Sequence, residues 1–275
     1  MTLTDYHTHL RPDALDTPPE RYFTQANVDR YLEAAAARGI TELGFSEHVY
    51  RFREALDVWQ HPFWRECARD SLDEYVEFVA GTEGVRLGIE VDWIPGREDR
   101  VARLIEGRPW DYVIGSVHFV PAGAVDHDGY DAWESADSDQ VWTAYFEALG
   151  AAAASGLFDI LAHPDLVKVW GRARPDPPRP RRAYYELALP AIEAADVAIE
   201  VSTAGLRKPV GEMYPARELL ELCVGAGKPV ALSSDAHEPE AIGHGYDAAV
   251  SLLREIGVER ICVFEGRTRH EEPLG

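Results

Sequence analysis

The chain is 275 residues long, 46% hydrophobic, and carries a formal charge of −21. That size allows a substantial core and suits a single α/β barrel domain, while the charge excludes non-specific attraction to nucleic acid or an anionic membrane, whose phosphates most of the surface would repel. The first twenty residues lack the basic start and apolar stretch of a signal peptide, and no later apolar run reaches membrane-spanning length. Cys67, Cys223 and Cys262 are too few and too widely spaced for a disulfide framework or a CxxC zinc site. A soluble, cytoplasmic protein with ordinary thiols is expected.

Short β-branched runs alternate with longer segments of helical apolar spacing, which argues for βα units. The predicted strands are Leu3–His9, Glu42–His48, Arg86–Asp92, Tyr112–His118, Ile160–His163, Ala198–Ser202 and Pro229–Ser234, with a weaker eighth run at Arg260–Phe264. Between them Asn27–Arg38, Leu72–Val79, Gln140–Ser155, Arg182–Ala194, Ala216–Ala226 and Pro239–Glu255 read as helices. Asn27 and Pro239 serve as starts, and Gly39, Gly156 and Gly227 as stops. Gly171–Arg182, GRARPDPPRPRR, is too rich in proline and arginine for a regular element and reads as a long loop. Its arginines either draw an anion toward the site or are simply solvated.

The chemistry is concentrated at strand ends. DYHTH, SEH, GIEVD, SVH, AHPD, IEVS and SSDAH each place a ligand-type residue at or just past the end of a predicted strand. In a barrel these ends converge on one face, so His7, His9, His48, Glu90, His118, His163, Asp235 and His237 would surround one space. A lone histidine at a strand end is more often structural than a ligand, but six of the ten histidines fall at such positions. His61, His127, His244 and His270 do not, and are set aside. Glu200 also ends a strand and is held in reserve as a support or a substrate contact. Alternate strand residues point the same way, so His7 and His9 can share a metal. Mixed imidazole and carboxylate ligands suit Zn, Mn or Fe, and Glu90 or Asp235 can bridge two ions. Eight candidate ligands exceed what one ion can use, so two to three metals are expected.

In that order, from His7 to His237, these elements resemble the polymerase-and-histidinol-phosphatase (PHP) superfamily, and within it the monofunctional histidinol-phosphatases. The resemblance implies a distorted TIM-like (β/α)7 barrel with the metal site at the C-terminal ends of its strands, and a short C-terminal extension from about residue 258. It implies a cluster of up to three Zn, Fe or Mn ions. It also implies hydrolysis of L-histidinol phosphate in histidine biosynthesis, by attack of a metal-bridging hydroxide on phosphorus. IEVSTAGLRKP, residues 199–209, looks like the sub-family's own signature and is the best clue to substrate. One departure concerns a further histidine that the family carries shortly after the HxH. Here the stretch is Leu10-Arg11-Pro12-Asp13-Ala14-Leu15-Asp16. Asp13 is the replacement ligand expected, with Asp16 behind it.

Under this reading Arg207 holds the phosphate, since a guanidinium offers paired donors, and Lys208 assists. The leaving oxygen is protonated by Asp235, His237 or a bound water. Ser46, Glu47 and Glu200 are candidates for recognising the imidazole or amine. The partner expected is a small phosphorylated molecule, with no nucleic acid and no membrane; oligomeric state is left open. An amidohydrolase would also begin with HxH, but Lys168, Lys208 and Lys228 occupy none of the mid-barrel strand ends where a carboxylated lysine would sit. A nucleotide phosphoesterase shares the metal chemistry and differs only in its pocket. A metal-binding protein without turnover is the reading from a different class.

Overall fold

Seven short strands lie side by side in chain order, every neighbouring pair parallel. They are β1 (Thr4–Asp5), β2 (Glu42–Phe45), β3 (Val85–Asp92), β4 (Tyr112–Ser116), β5 (Ile160–Leu161), β6 (Ala198–Ser202) and β7 (Val230–Ser233). The structure is a computed structural model and describes residues 2–14 and 17–275. The first strand and the last also meet, because His9 N donates to Ala236 O at 2.8 Å and Thr4 Oγ1 to Leu232 O at 3.2 Å. The result is a nearly closed (β/α)7 barrel, as the family resemblance implies.

Helices α1 (Gln25–Ala37), α2 (Pro62–Cys67), α3 (Leu72–Ala80), α4 (Glu98–Ile105), α5 (Ser138–Ala154), α6 (Arg181–Ala194), α7 (Arg217–Gly225) and α8 (Tyr246–Glu255) occupy the connections. Local capping shifts several starts from those expected. The Thr24 side chain accepts from Asn27 N, so α1 begins two residues earlier, and Asp137 with Gln140 forms a capping box that starts α5 at Ser138. None among the described residues is long and apolar enough to cross a membrane.

Three expectations need correction. The sequence reading omits α2 and α4, although α4 buries Val101, Leu104 and Ile105 along one face. The helix expected over Pro239–Glu255 is broken, since Gly243 and Gly245 adopt φ of 60° and 75° between a 3₁₀ turn at Pro239–Ala241 and α8. The weak eighth run is one arm of an antiparallel hairpin, β8 (Arg260–Glu265) with β9 (Thr268–Pro273), placed outside the barrel sheet.

That hairpin covers the N-terminal end of the barrel. Cys262 and Phe264 join Tyr6, Tyr112, Ile114, Ile160, Ala198 and Ala231 in a packed cluster inside the strands. Tyr112 fills the barrel's width. A Cβ on Gly44 or Gly88 would come within 2.3 or 2.2 Å of its side chain, so β2 and β3 carry glycine where they face it. With this end filled, only the opposite end can receive a ligand.

Candidate metal centre

The C-terminal strand ends bring all eight residues together. Glu90 is the hub: Oε2 lies 3.2 Å from His7 Nε2 and touches His48 Nδ1, and Oε1 lies 3.2 Å from His163 Nε2 and 3.4 Å from His118 Nε2. Asp235 Oδ1 faces His9 Nε2 at 3.4 Å and His7 Nε2 at 3.7 Å. The His48 and His237 Nε2 atoms are 3.3 Å apart. Four triads, His7/Glu90/His163, His48/Glu90/His118, His7/His9/Asp235 and His9/His48/His237, each hold their donor atoms within 4.8 Å of one another.

The backbone is bent to achieve this. Among the described non-glycine residues His163, Asp235 and Arg267 have positive φ, and the first two, at 24° and 51°, end β5 and β7 at the site. Left-handed geometry disfavours side-chain-bearing residues and concentrates at functional sites.

Further residues orient the imidazoles. Glu200 Oε1 lies 2.8 Å from His7 Nδ1, and its Oε2 accepts from the His163 backbone N–H. Asp92 Oδ1 lies 2.8 Å from His118 Nδ1. Glu47 is tied to Arg51 and accepts from Arg11 N. Carboxylates on Nδ1 leave Nε2 free to face the centre, the usual support for a metal-bound histidine.

The electrostatics divide the site's groups. Burial opposes ionisation of Glu90 and Asp235, but the imidazoles around them hold both carboxyls well below the ordinary range. Burial opposes ionisation of Glu47 as well, but Arg51 beside it, with His9, lowers the carboxyl to about 2. Burial and the neighbouring His9 lower His237 to about 4, and burial holds His48 well below the usual imidazole value. Burial opposes protonation of the other imidazoles, yet the carboxylates around them hold His7 well above and His9 above the usual value and raise His118 to about 10, so a metal binding there must displace protons before those nitrogens can ligate.

His7 Nε2, His9 Nε2, His48 Nδ1, Glu90 Oε2 and Asp235 Oδ1 are all buried and, among the described residues, have no hydrogen-bond partner. Leaving one such group unpaired costs about 1–3 kcal/mol, so five convergent ones are explained best by a cation among them. The nitrogen and oxygen donors fit Zn, Mn or Fe.

The remaining residues named from the sequence are placed as follows. Asp13 is largely exposed, 3.4 Å from His237 Nε2 and 3.0 Å from Arg51 Nη2; Asp16 lies outside the described residues. Lys208 lines a cavity of about 510 Å³ that opens onto the cluster past Tyr50, Phe63, Trp170 and Tyr214. Ser46, Glu47 and Glu200 are buried and are not among the cavity's lining residues. Arg207 is not in the lining either. Its Nη2 donates to the Ser234 and Asp235 carbonyls at 2.8 and 3.0 Å, which holds the left-handed turn at Asp235. In the proline-rich segment, Arg174 pairs with Asp128 and Asp131, Arg179 with Asp139, and Arg182 with Glu186.

Sequence reasoning missed Asp92, whose signal was its position two residues after Glu90 on one strand. It also missed Arg51 and Tyr214, which carry no motif, and His127, which lines the cavity from a loop.

The family description "PHP domain" matches residues 22–204. The chain belongs to the PHP domain family. It is 36% identical to a probable histidinol-phosphatase of Deinococcus radiodurans, covering 91% of this chain and 92% of that one. It is 24% identical to the histidinol-phosphatase of Bacillus subtilis over 90% and 98% of the two chains. In structure it is similar to the histidinol phosphate phosphatase of Lactococcus lactis, solved with zinc, L-histidinol and phosphate. The TM-score there is 0.71 at 19% identity, over 98% of this PHP chain and 99% of that one. A putative histidinol phosphatase of Listeria monocytogenes gives the same score over 89% and 99%.

Proposed function

We propose that this chain is a metal-dependent phosphomonoesterase that hydrolyses L-histidinol phosphate to L-histidinol and phosphate. The carrying observation is the convergence of eight His, Asp and Glu side chains in one cluster at the floor of a cavity that five of them line, in a chain 36% identical to a probable histidinol-phosphatase. His7, His9, His48, Glu90, His118, His163, Asp235 and His237 would hold two to three Zn, Mn or Fe ions, with Asp13 a ninth ligand at the rim beside His237. Metals held there supply Lewis-acid charge to a phosphoryl oxygen and a water nucleophile active near neutral pH.

The protein's own groups position the substrate. Lys208 places an ammonium on the cavity wall for the phosphate. Arg207 acts through the backbone, fixing the turn that aims Asp235. Glu200 and Asp92 set the ring orientations of His7 and His118, and Glu47 anchors Arg51. Asp235 and His237 line the cavity but are held unprotonated near neutral pH, which leaves a water, the third candidate, to protonate the departing alkoxide. The aromatic side chains of Tyr50, Phe63 and Trp170 give the flat imidazole of the substrate an apolar wall. The whole chain is read as one barrel domain with the hairpin as its C-terminal extension.

The test is phosphate release from L-histidinol phosphate and from a panel of nucleotides, before chelation, after it, and with Mn, Zn or Fe restored. Activity should vanish on chelation and return with metal, and L-histidinol phosphate should be preferred by about 100-fold or more in kcat/KM, a ratio within reach of pocket contacts. Inactivity on every phosphoester with metal demonstrably bound would overturn the reading.

A further inference from the structure

Tyr214 stands apart from the other tyrosines. It is fully buried, and its backbone is locked to the end of β6, with Ser202 N donating to its carbonyl at 2.7 Å and its own N–H donating to Ser202 O at 2.9 Å. The ring meets His163 edge-on, with centroids 6.3 Å apart. Lys168 Nζ lies 5.4 Å from the ring centroid and is pinned by Asp165 at 2.9 Å and by Met213 O at 2.8 Å. The side chain can therefore neither swing away nor reach solvent. It lines the cavity, yet its hydroxyl has no hydrogen-bond partner among the described residues.

Tyr6, Tyr31, Tyr75, Tyr112, Tyr145 and Tyr246 are equally buried, and each donates its hydroxyl proton to an oxygen. Buried phenols normally find such a partner. An unpaired one in the wall of a substrate cavity marks where a ligand atom arrives. A buried phenol keeps its proton at neutral pH and needs an acceptor for it. Beside His163, one of the residues gathered on Glu90, the strongest acceptor that a phosphomonoester brings is an anionic phosphoryl oxygen; the ammonium of histidinol brings only donors, and its imidazole and hydroxyl are neutral, weaker acceptors.

Resting on the function proposed above, we infer that the Tyr214 hydroxyl donates a hydrogen bond to a phosphoryl oxygen of the substrate and contributes to holding the phosphate in place. The contact involves no proton transfer.

The test compares the metal-loaded full chain with its Tyr214→Phe variant, which keeps the ring. Titration calorimetry with inorganic phosphate should show affinity falling about 10- to 100-fold, as for loss of a hydrogen bond to a charged group, with L-histidinol affinity changed less than about twofold. The kcat/KM for L-histidinol phosphate should fall in parallel with phosphate affinity, and the melting temperature should hold. Unchanged phosphate affinity, including none in either protein, overturns the inference; the hydroxyl then meets only a water, shared for instance with the unpartnered Asp165 Oδ1. A loss confined to L-histidinol affinity overturns it too. If neither protein hydrolyses L-histidinol phosphate, the substrate reading fails while the phosphate titration still decides the tyrosine contact.

Discussion

At the N-terminal end of the barrel, Tyr6 and Tyr112 lie with ring centroids 4.9 Å apart, Phe264 packs on both, and the two hydroxyls reach Glu42 and the Tyr6 carbonyl. At the C-terminal end, buried polar atoms on His7, His9, His48, Glu90 and Asp235 face one another unpaired, and His163 and Asp235 sit in left-handed backbone. The same strands carry both regions. Glu42, which takes the Tyr6 hydroxyl, opens β2 and His48 follows just past its end, and β3 carries both the glycine that clears Tyr112 and the carboxylate at the hub. One end is packed for stability and the other keeps unmet polar groups for a cation and a substrate. Mutations at the two ends should therefore separate, those at the top removing activity and those at the bottom removing stability.

The largest effect should come from Glu90→Gln. This substitution removes the charge that four imidazoles surround, and kcat should fall by a factor on the order of 10³, with bound metal per chain falling in parallel by elemental analysis. A variant that melts far lower while keeping its metal would erase the contrast between the two ends. The opposite outcome is expected of Phe264→Ala. It empties a fully buried site in the hairpin plug and should cost about 3–5 kcal/mol, or roughly 10 °C in a chain of this size. Its kcat/KM, measured where the protein is folded, should remain near that of the parent.

The site was more legible than the plug because its signal is local. A ligand at a strand end announces itself through residue type and a spacing of two, as His7 and His9 do, and parallel strands converge whatever connects them. The plug depends on partners distant in sequence. Nothing near Gly44 or Gly88 tells that Tyr112 will lie across them, and Thr268–Pro273 exposes most of its side chains, so no apolar alternation marks it as a strand. The helix α4 was lost for a different reason: three arginines and three acids in residues 97–106 dilute a short apolar face. Within the site, the roles that escaped are those defined by direction. Arg207 has the composition of a phosphate ligand, yet its guanidinium points at the Ser234 and Asp235 carbonyls. Tyr214 has no motif, and only the absence of a partner for its hydroxyl singles it out.

The smallest predicted effect sharpens the comparison from inside the site. Asp92 lines no part of the cavity and acts through His118, whose Nδ1 it holds at 2.8 Å while Nε2 faces Glu90. Asp92→Asn should lower metal affinity by about 10- to 100-fold, the usual cost of losing a carboxylate behind a histidine ligand, as measured by competition with a chelator. The pair also has a pH signature in the metal-free protein. Burial opposes protonation of His118, but Asp92, Glu90 and Asp126 together raise it to about 10. A raised imidazole contributes stability that is whole below its unfolded value and is lost as pH rises through the folded one. The wild-type protein should therefore exceed Asp92→Asn in melting temperature most clearly near pH 6.5, and the gap should close toward pH 10. A gap independent of pH over that window would mean that Asp92 supports packing rather than the charge on His118, and the top of the barrel would then share the bottom's logic at this position.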